Sequence, residues 1–507
     1  MSSARARWAA LGVLCLSLLA IVVDNTIVNV ALPTLVRDLG ADVSQLQWVV
    51  DAYTLVFAGL LLVAGALGDR VGRRRTLLFG LAVFGLASAW AASAGGVGEL
   101  IAARAVMGAG AAFVMPATLS LLISVFPDPR ERAMGIGIWA ATAGLGVALG
   151  PVVGGFLLDH FRWGSIFLVN VPLTAIALVA GRRLLPESRD PVARRVDWLG
   201  AGLSGGGLVA LVWAVIEAPG KGWLSGAVLT AGTIAVVLLA AFVVWQRRAP
   251  EPLLDVALFR DPRFSAASAT IMVLFFALFG FLFLSTQYLQ FVLGYGPSAA
   301  GVRVLPYAAA MIVCAPLSSK LVARLGTRRV ASTGMLLFAA GLAVAATIST
   351  DSGYGRLAVA LLLMGAGMGL AGAPATESIM GSLPEARANI GSAVNDTTRE
   401  LGGALGVAVV GSIMASIYGT ELSRALPDDV PGAARESLGA AVGLGPDVAP
   451  AAREAFVEAM STASIVVAVA AALGACIAWR YLPAQEAAAA QTDATGDGDV
   501  ALAPAKP

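Results

Sequence analysis

The chain has 507 residues, of which 58% are apolar and 13% charged, and its formal net charge is only +2. Soluble domains carry about 25% charged residues, so a soluble enzyme with one anchor is excluded and the bilayer is the solvent for most of the chain. One His and three Cys, each Cys inside an apolar run, argue against a metal centre or a disulfide framework, and no nucleic-acid partner is expected.

A membrane-crossing helix needs about 20 mostly apolar residues. Runs of that kind fall at 8–32, 47–67, 76–94, 99–124, 133–158, 164–181, 198–216, 225–245, 266–290, 299–321, 330–348, 356–381, 390–418 and 460–481, which predicts fourteen spans. The first run follows Arg5 and Arg7, as a signal peptide would, but no small-residue cleavage site comes after it, so a retained helix is expected. With the N-terminus inside, 24 of the 34 Lys and Arg residues fall on inner segments and 8 on outer ones. That bias places both termini in the cytoplasm.

Between the second and third runs lies Gly65-Ala66-Leu67-Gly68-Asp69-Arg70-Val71-Gly72-Arg73-Arg74-Arg75, with five charged residues and three glycines. It reads as a tight, basic inner turn. A second copy, Ala323-Arg324-Leu325-Gly326-Thr327-Arg328-Arg329, lies between the tenth and eleventh runs and aligns on Gly72, with Ala323 in place of Asp69. Each copy follows the second helix of a six-helix half if 198–245 is an insertion. The expected organisation is therefore a first six-helix bundle at 1–181, a linker with two inserted transmembrane helices at 182–265, and a second six-helix bundle at 266–481. A long outer loop is expected at 419–459 and a disordered cytoplasmic tail at 482–507. An all-α polytopic membrane protein built from two repeated halves is the layout of transporters whose substrate site lies at the midplane between the halves.

Five motifs in order carry a family resemblance. Residues 65–77, GALGDRVGRRRTL, match the loop signature of the major facilitator superfamily. Asp24 to Pro33, DNTIVNVALP, resembles the first-span signature of its fourteen-span branch. Arg104 to Gly110 resembles the fourth-span signature, with Met107 where Gln is common. Gly146 to Gly155 resembles the signature that marks antiporters, and Trp163 to Pro172, WGSIFLVNVP, the opening of span six. The resemblance implies the major facilitator fold and a drug:proton antiporter, most similar to exporters of quaternary ammonium compounds and other cationic drugs. Asn395 and Met311 stand where some members carry acids, which argues against divalent cations. The resemblance also implies a plasma-membrane protein, with a small-molecule drug, protons and the bilayer as partners. No G-x-x-x-x-G-K-[ST] phosphate loop is present, so no cofactor is expected beyond the proton gradient, and a monomer is expected.

Ionisable groups inside a span are expensive and functional by default. Asp24, about 16 residues into its helix, lies ~24 Å from the inner face; Asp51 and Arg104, about five residues into theirs, lie ~7 Å from the outer face. The expectation is that these three share the outer half and leave one net negative charge for a proton or a lipophilic cation, although Arg104 also suits a structural ion pair and Asp51 an interfacial position. Near the inner ends of spans 12 and 13 lie Glu377, Asp396, Arg399 and Glu400, the last three on one helix face. Asp69, with Arg70, Gly72 and Arg73, is expected to form a conformational latch at the inner face, while the arginines also orient the chain. Gly146, Gly150, Pro151, Gly154 and Gly155 give a smooth, bendable helix face between the halves. Trp48, Tyr53, Phe57, Trp139, Phe275, Phe279, Tyr288 and Tyr307 are aromatic residues that could stack on a planar cation. Two other functions were weighed against drug efflux: uptake of a small nutrient, opposed by the span-five glycines, and a multi-span membrane enzyme, for which the 419–459 loop offers acids but no His.

Overall fold

The computed structural model describes residues 4–189, 196–383, 388–426 and 431–484. Among these residues every regular element is helical, and fourteen helical segments are long and apolar enough to cross a membrane. The first half holds α1 (Ala4–Leu39), α2 (Val43–Val71), α3 (Arg73–Ala92), α4 (Val97–Val125), α5 (Pro129–His160) and a sixth span broken into α6 (Ser165–Leu168) and α7 (Asn170–Leu184). Then come α8 (Trp198–Lys221) and α9 (Gly226–Gln246). The second half holds α10 (Pro262–Gln287), continued by a π-helical turn at Tyr288–Val292, a span broken into α11 (Pro297–Arg303) and α12 (Leu305–Leu325), α13 (Thr327–Ala345), α14 (Tyr354–Gly381), α15 (Ala388–Ala425), the short α16 (Gly432–Glu436) and α17 (Leu438–Gly443), and α18 (Ala449–Tyr481).

Local chemistry sets the boundaries. Asp42 and Gln45 form a reciprocal capping box at the start of α2. Asp128 caps α5 and Asp261 caps α10, each with proline as the next residue. The segment expected as a long outer loop, 419–459, is largely helical: α15 runs on to Ala425, α18 begins at Ala449, and α16 and α17 lie between. Of the expected tail, residues 485–507 lie outside the described residues.

The same packing scheme occurs twice. In the first half α1 packs on α5, α2 on α4, and α3 on α4 and α7; in the second, α10 packs on α15, α12 on α14, and α13 on α14 and α18. The repeat extends to atoms. Gly108 of α4 sits against the Tyr53 carbonyl of α2, and Gly365 of α14 against the Tyr307 carbonyl of α12. A Cβ on Gly80 would lie 2.7 Å from the Gly110 oxygen, and one on Gly334 2.8 Å from the Gly367 oxygen. Tyr53 and Tyr307, Gly72 and Gly326, and Gly80 and Gly334 are each 254 residues apart. The repeat seen in the two loops is therefore a repeat of close helix approaches.

The halves meet through α2 on α15 and through α5 on α11. Hydrogen bonds join them toward the face opposite the one bearing Ala4 and Tyr481. Gln47 Nε2 donates to the Val407 and Ala408 carbonyls at 3.1 and 2.9 Å. Gln290 Nε2 donates to the Val30 carbonyl at 2.8 Å, and Arg37 donates to Gln290 Oε1 at 3.2 Å. Gly301 lies against the Pro151 carbonyl, and Gly155 against Pro297 and Ser298. Toward the face bearing the termini, α5 exposes Met134, Ile136 and Ile138, and α12 exposes Ile312, Val313 and Leu317.

The inserted helix α8 lies across this seam. Glu217 accepts from Ser44 Oγ at 3.0 Å and from Trp48 Nε1 at 3.4 Å, both on α2, while Ser412 of α15 donates to the Val215 carbonyl at 2.5 Å. At the base of the pair, Asp197 caps α8 and accepts from Trp245 and Gln246 of α9. Burial works against its charge, but hydrogen bonds from the Gly200 N–H, Trp245, Gln246 and the Leu253 N–H outweigh it and hold the carboxyl below the ordinary aspartate range. That fastening is present at neutral pH and is lost as pH falls through the lowered pKa.

Candidate functional site: a buried ion pair, an unpartnered acid and an apolar cavity

Within the first half, Arg104 of α4 points at α1. Its NH1 lies 2.6 Å from Asp24 Oδ2, and its Nε donates to the Val49 carbonyl of α2 at 3.0 Å. Asn170, the first residue of α7, donates to Asp24 Oδ1 at 2.8 Å. The guanidinium lies over the Tyr53 ring at 4.3 Å and near Phe167 at 5.9 Å. Asp24 and Arg104 are 0% and 1% exposed. One cation thus ties α1, α2, α4 and the sixth span together, with its charge met by a carboxylate that an amide also holds. Removing one member of such a pair costs ~3–5 kcal/mol, because the other is left charged in apolar surroundings.

Asp51, expected to share the outer half of the membrane with Asp24 and Arg104, makes no hydrogen bond to this group. It is fully buried, yet among the described residues neither carboxylate oxygen has a hydrogen-bond partner. The reason is helical phase. Asp51 lies one turn from Gln47 and one turn from Leu55, which meet α15, whereas Val49 and Tyr53 meet Arg104.

The other expected acids sit in the second half. Asp396 accepts from Asn395 Nδ2 at 3.4 Å, Asn395 Oδ1 accepts from Thr376, and Arg399 donates to Thr376 Oγ1 at 3.3 Å. Arg399 also lies 5.3 Å from the Phe275 ring centroid. Glu400 shares this α15 face and Glu377 is exposed on α14.

Between the halves is a cavity of about 120 Å³. Its wall takes Thr26, Asn29, Val147, Ala148 and Pro151 from the first half and Phe275, Phe279, Thr286, Tyr307, Met311 and Met368 among others from the second; none of its lining residues is charged. Of the aromatic candidates, Phe275, Phe279 and Tyr307 border it. Tyr53 instead holds Arg104, Tyr288 donates to the Ser352 carbonyl, Trp139 donates to Thr118, and Trp48 donates to Glu217.

The gating candidates divide. Gly146, Gly150 and Gly154 are seated on Val22, Thr26 and Ile27 of α1, inside one half, while Pro151 and Gly155 meet α11 of the other. In the opening loop, Asp69 accepts from Arg73 at 2.8 Å within its own turn. Gly72 has φ +126°, a conformation that favours glycine. Glu187, which the sequence did not single out, accepts from the Arg74 N–H at 3.1 Å, and the Arg73 N–H donates to the Ser188 carbonyl at 2.9 Å. In the second copy, Gly326 has φ +83° and Arg328 donates to the Leu482 and Pro483 carbonyls. Arg74 likewise donates to the Leu185 carbonyl.

The sequence matches the Major Facilitator Superfamily over residues 14–407. It is 36% identical to the multidrug efflux pump LfrA of Mycolicibacterium smegmatis, over 91% of this chain and 93% of the relative. It is 38% identical to the multidrug resistance protein Stp of Mycobacterium tuberculosis, over 82% and 78%, and 35% identical to the tetracenomycin C resistance and export protein of Streptomyces glaucescens, over 81% and 77%. Among solved structures, a bacterial homologue of the human lysosomal transporter Spinster, inward-facing and unoccupied, aligns with a TM-score of 0.66 at 17% identity, over 94% of this chain and 97% of that one. A D-xylose–proton symporter aligns at 0.62 with 12% identity, over 94% and 98%. Motifs, repeated packing and matches agree: the chain is a multi-pass membrane transporter that belongs to the Major Facilitator Superfamily.

Proposed function

We propose that the chain is a proton-coupled antiporter that exports lipophilic drugs or antibiotics across the plasma membrane by alternating access. The names of LfrA, Stp and the tetracenomycin C exporter support drug export. The basic loops at 70–75 and 182–183 support a cytoplasmic position for the face bearing the termini. On that orientation the hydrogen-bonded seam between the halves lies on the outer side.

The observation that carries proton coupling is Asp51. A buried carboxylate with no partner is far less costly neutral than charged. It lies on the α2 face that meets α15, so opening the outer seam exposes it to the outside and lets it take up a proton. Return of the carrier to the inward-facing state therefore brings a proton in, and release of that proton toward the cytoplasm resets the site for the next drug. No cofactor is needed, since the proton gradient supplies the energy, and a monomer suffices. Asp24, Arg104 and Asn170 keep the first half rigid while the seam works. Asp69, held here by Arg73, is the latch in its released state, free to engage the other half when the inner face closes. A preference for cations would draw on Asp396 and Glu400, which share one face of α15 and lie outside the residues lining the cavity.

The test is drug transport by the reconstituted chain under an imposed pH gradient. Asp51→Asn should abolish uphill export and drug-coupled proton movement while downhill drug exchange continues. Proton-driven uphill export at the wild-type rate in that variant would remove Asp51 from the coupling.

A further inference from the structure

We propose that Gln47 is an outer proton gate: bonded across the seam, its amide shuts Asp51 off from outside water until α2 and α15 part. The proposal rests on the reading that Asp51 carries the coupled proton.

Gln47 lies one turn before Asp51, nearer the start of α2, and is 1% exposed. Its Nε2 donates to the Val407 and Ala408 carbonyls of α15, in the opposite half. The partner helix leaves room for it: a Cβ on Gly411 would lie 2.5 Å from Gln47 Nε2. One turn beyond Asp51, Leu55 packs with Ala404 and Ala408 of α15 and with Val212 and Ile216 of α8. Asp51 is thus held between an amide on its outer side and an apolar cluster on its inner side. The two barriers differ in kind. Parting the cluster bares apolar side chains that water solvates at a cost, whereas parting the amide bares a donor and carbonyl oxygens that water bonds readily. The outer side is therefore the easier way in for a proton.

The repeat shows that the scaffold can do without this amide. The position 254 residues beyond Gln47 is Gly301, which is seated on the Pro151 carbonyl of α5. There the halves meet by backbone contact, with no side chain to swing aside. The α2–α15 side instead pairs a breakable bond with a buried acid. Charged groups on the helices around α2 are engaged or placed elsewhere. Arg104 of α4 is bonded to Asp24 of α1, and Glu217 of α8 to Ser44, Trp48 and Lys221. Arg73, Arg74 and Arg75 lie in the first turn of α3, and Asp396, Arg399 and Glu400 lie seven or more residues before Val407 on α15. Opening the α2–α15 contact breaks the amide's bonds and admits water to Asp51 in one movement, so proton uptake is tied to opening of the seam.

The experiment measures proton flux without drug in liposomes holding the full chain, at equal pH on both sides, driven by a potassium diffusion potential. All variants are taken as monodisperse protein. Gln47→Ala removes the amide, and Gly411→Ala displaces it from the other half. Each should raise the flux about 3- to 10-fold over the wild type, the effect of one hydrogen bond. Added to Gln47→Ala, Gly411→Ala should change nothing further, because the space it would fill is then vacant. Adding Asp51→Asn to Gln47→Ala should return the flux to the wild-type level, which a leak through a damaged fold would not do. Wild-type flux in Gln47→Ala overturns the gate and leaves the reading of Asp51 intact. A raised flux that persists with Asp51→Asn means that protons bypass Asp51; it overturns the gate and counts against Asp51 as the carrier.

Discussion

The two halves solve the same packing problem and then diverge in their polar chemistry. Each brings its second and fourth helices together by seating a glycine on a tyrosine carbonyl, and each ties its basic turn to backbone carbonyls just beyond its last helix, through Arg74 and Arg328. Charge separates them. The first half holds the Asp24–Arg104 pair in its core and adds Asp69 and Glu187 to its turn, whereas the second has Leu361 buried 257 residues beyond Arg104 and Ala323 in place of Asp69. What the halves share builds the scaffold; what only one of them has is where function is to be sought.

The severest way to break this contrast is to strip the first half of its buried cation. Arg104→Gln leaves Asp24 without its counter-charge and should destabilise the protein by ~3–5 kcal/mol, measured as a lower unfolding midpoint in detergent. Combining it with Asp24→Asn should restore much of that stability, and a double variant no better than the single one would show that the pair is not the fastening. Next come the shared glycines. Gly108→Ala and Gly365→Ala each drive a methyl into a tyrosine carbonyl and should cost ~1–3 kcal/mol, by similar amounts; tolerance at one position only would end the equivalence of the halves.

Much of this was legible in the sequence. Hydropathy marked the fourteen spans, and a loop motif read twice revealed the repeat. The helical parts of 419–459 escaped because the length rule detects contact with lipid rather than helix, and Ala452, Glu454 and Glu458 belong to a helix that runs on past the apolar stretch. Asn170 and Glu187 escaped because their partners, Asp24 and Arg74, lie 146 and 113 residues away; for Asn170 the signals were an amide inside the apolar run of span six and its place in the WGSIFLVNVP motif. Counting residues gives the height of Asp51 in the membrane but not its direction around the helix, so the absence of a bond to Asp24 or Arg104 could not be read from spacing.

Two milder substitutions sharpen the contrast. Asp69→Asn should reduce transport several-fold while stability moves by only ~0.3–1 kcal/mol, the range of an exposed pair or helix-end charge, and accessibility labelling of both termini should be unchanged. An equal loss of stability and activity would make Asp69 a structural residue. Tyr53→Phe should be the quietest, within ~0.5 kcal/mol, since it keeps the ring under Arg104 and removes a hydroxyl that bonds to nothing. A large drop there would mean that the hydroxyl has a role which the Arg104 packing does not explain.

The helix α8 has a consequence for timing. It grips α2 through Glu217 and α15 through the Val215 carbonyl, and these are the two helices that must part for the outer seam to open. On the proposed alternating-access reading, the hairpin stays with one half and lets go of the other as the seam opens. Its grip joins those hydrogen bonds to an apolar cluster in which Val212 and Ile216 meet Leu55 of α2 and Ala404 and Ala408 of α15, and on that reading the contacts to one of the two helices add to the barrier against opening the seam.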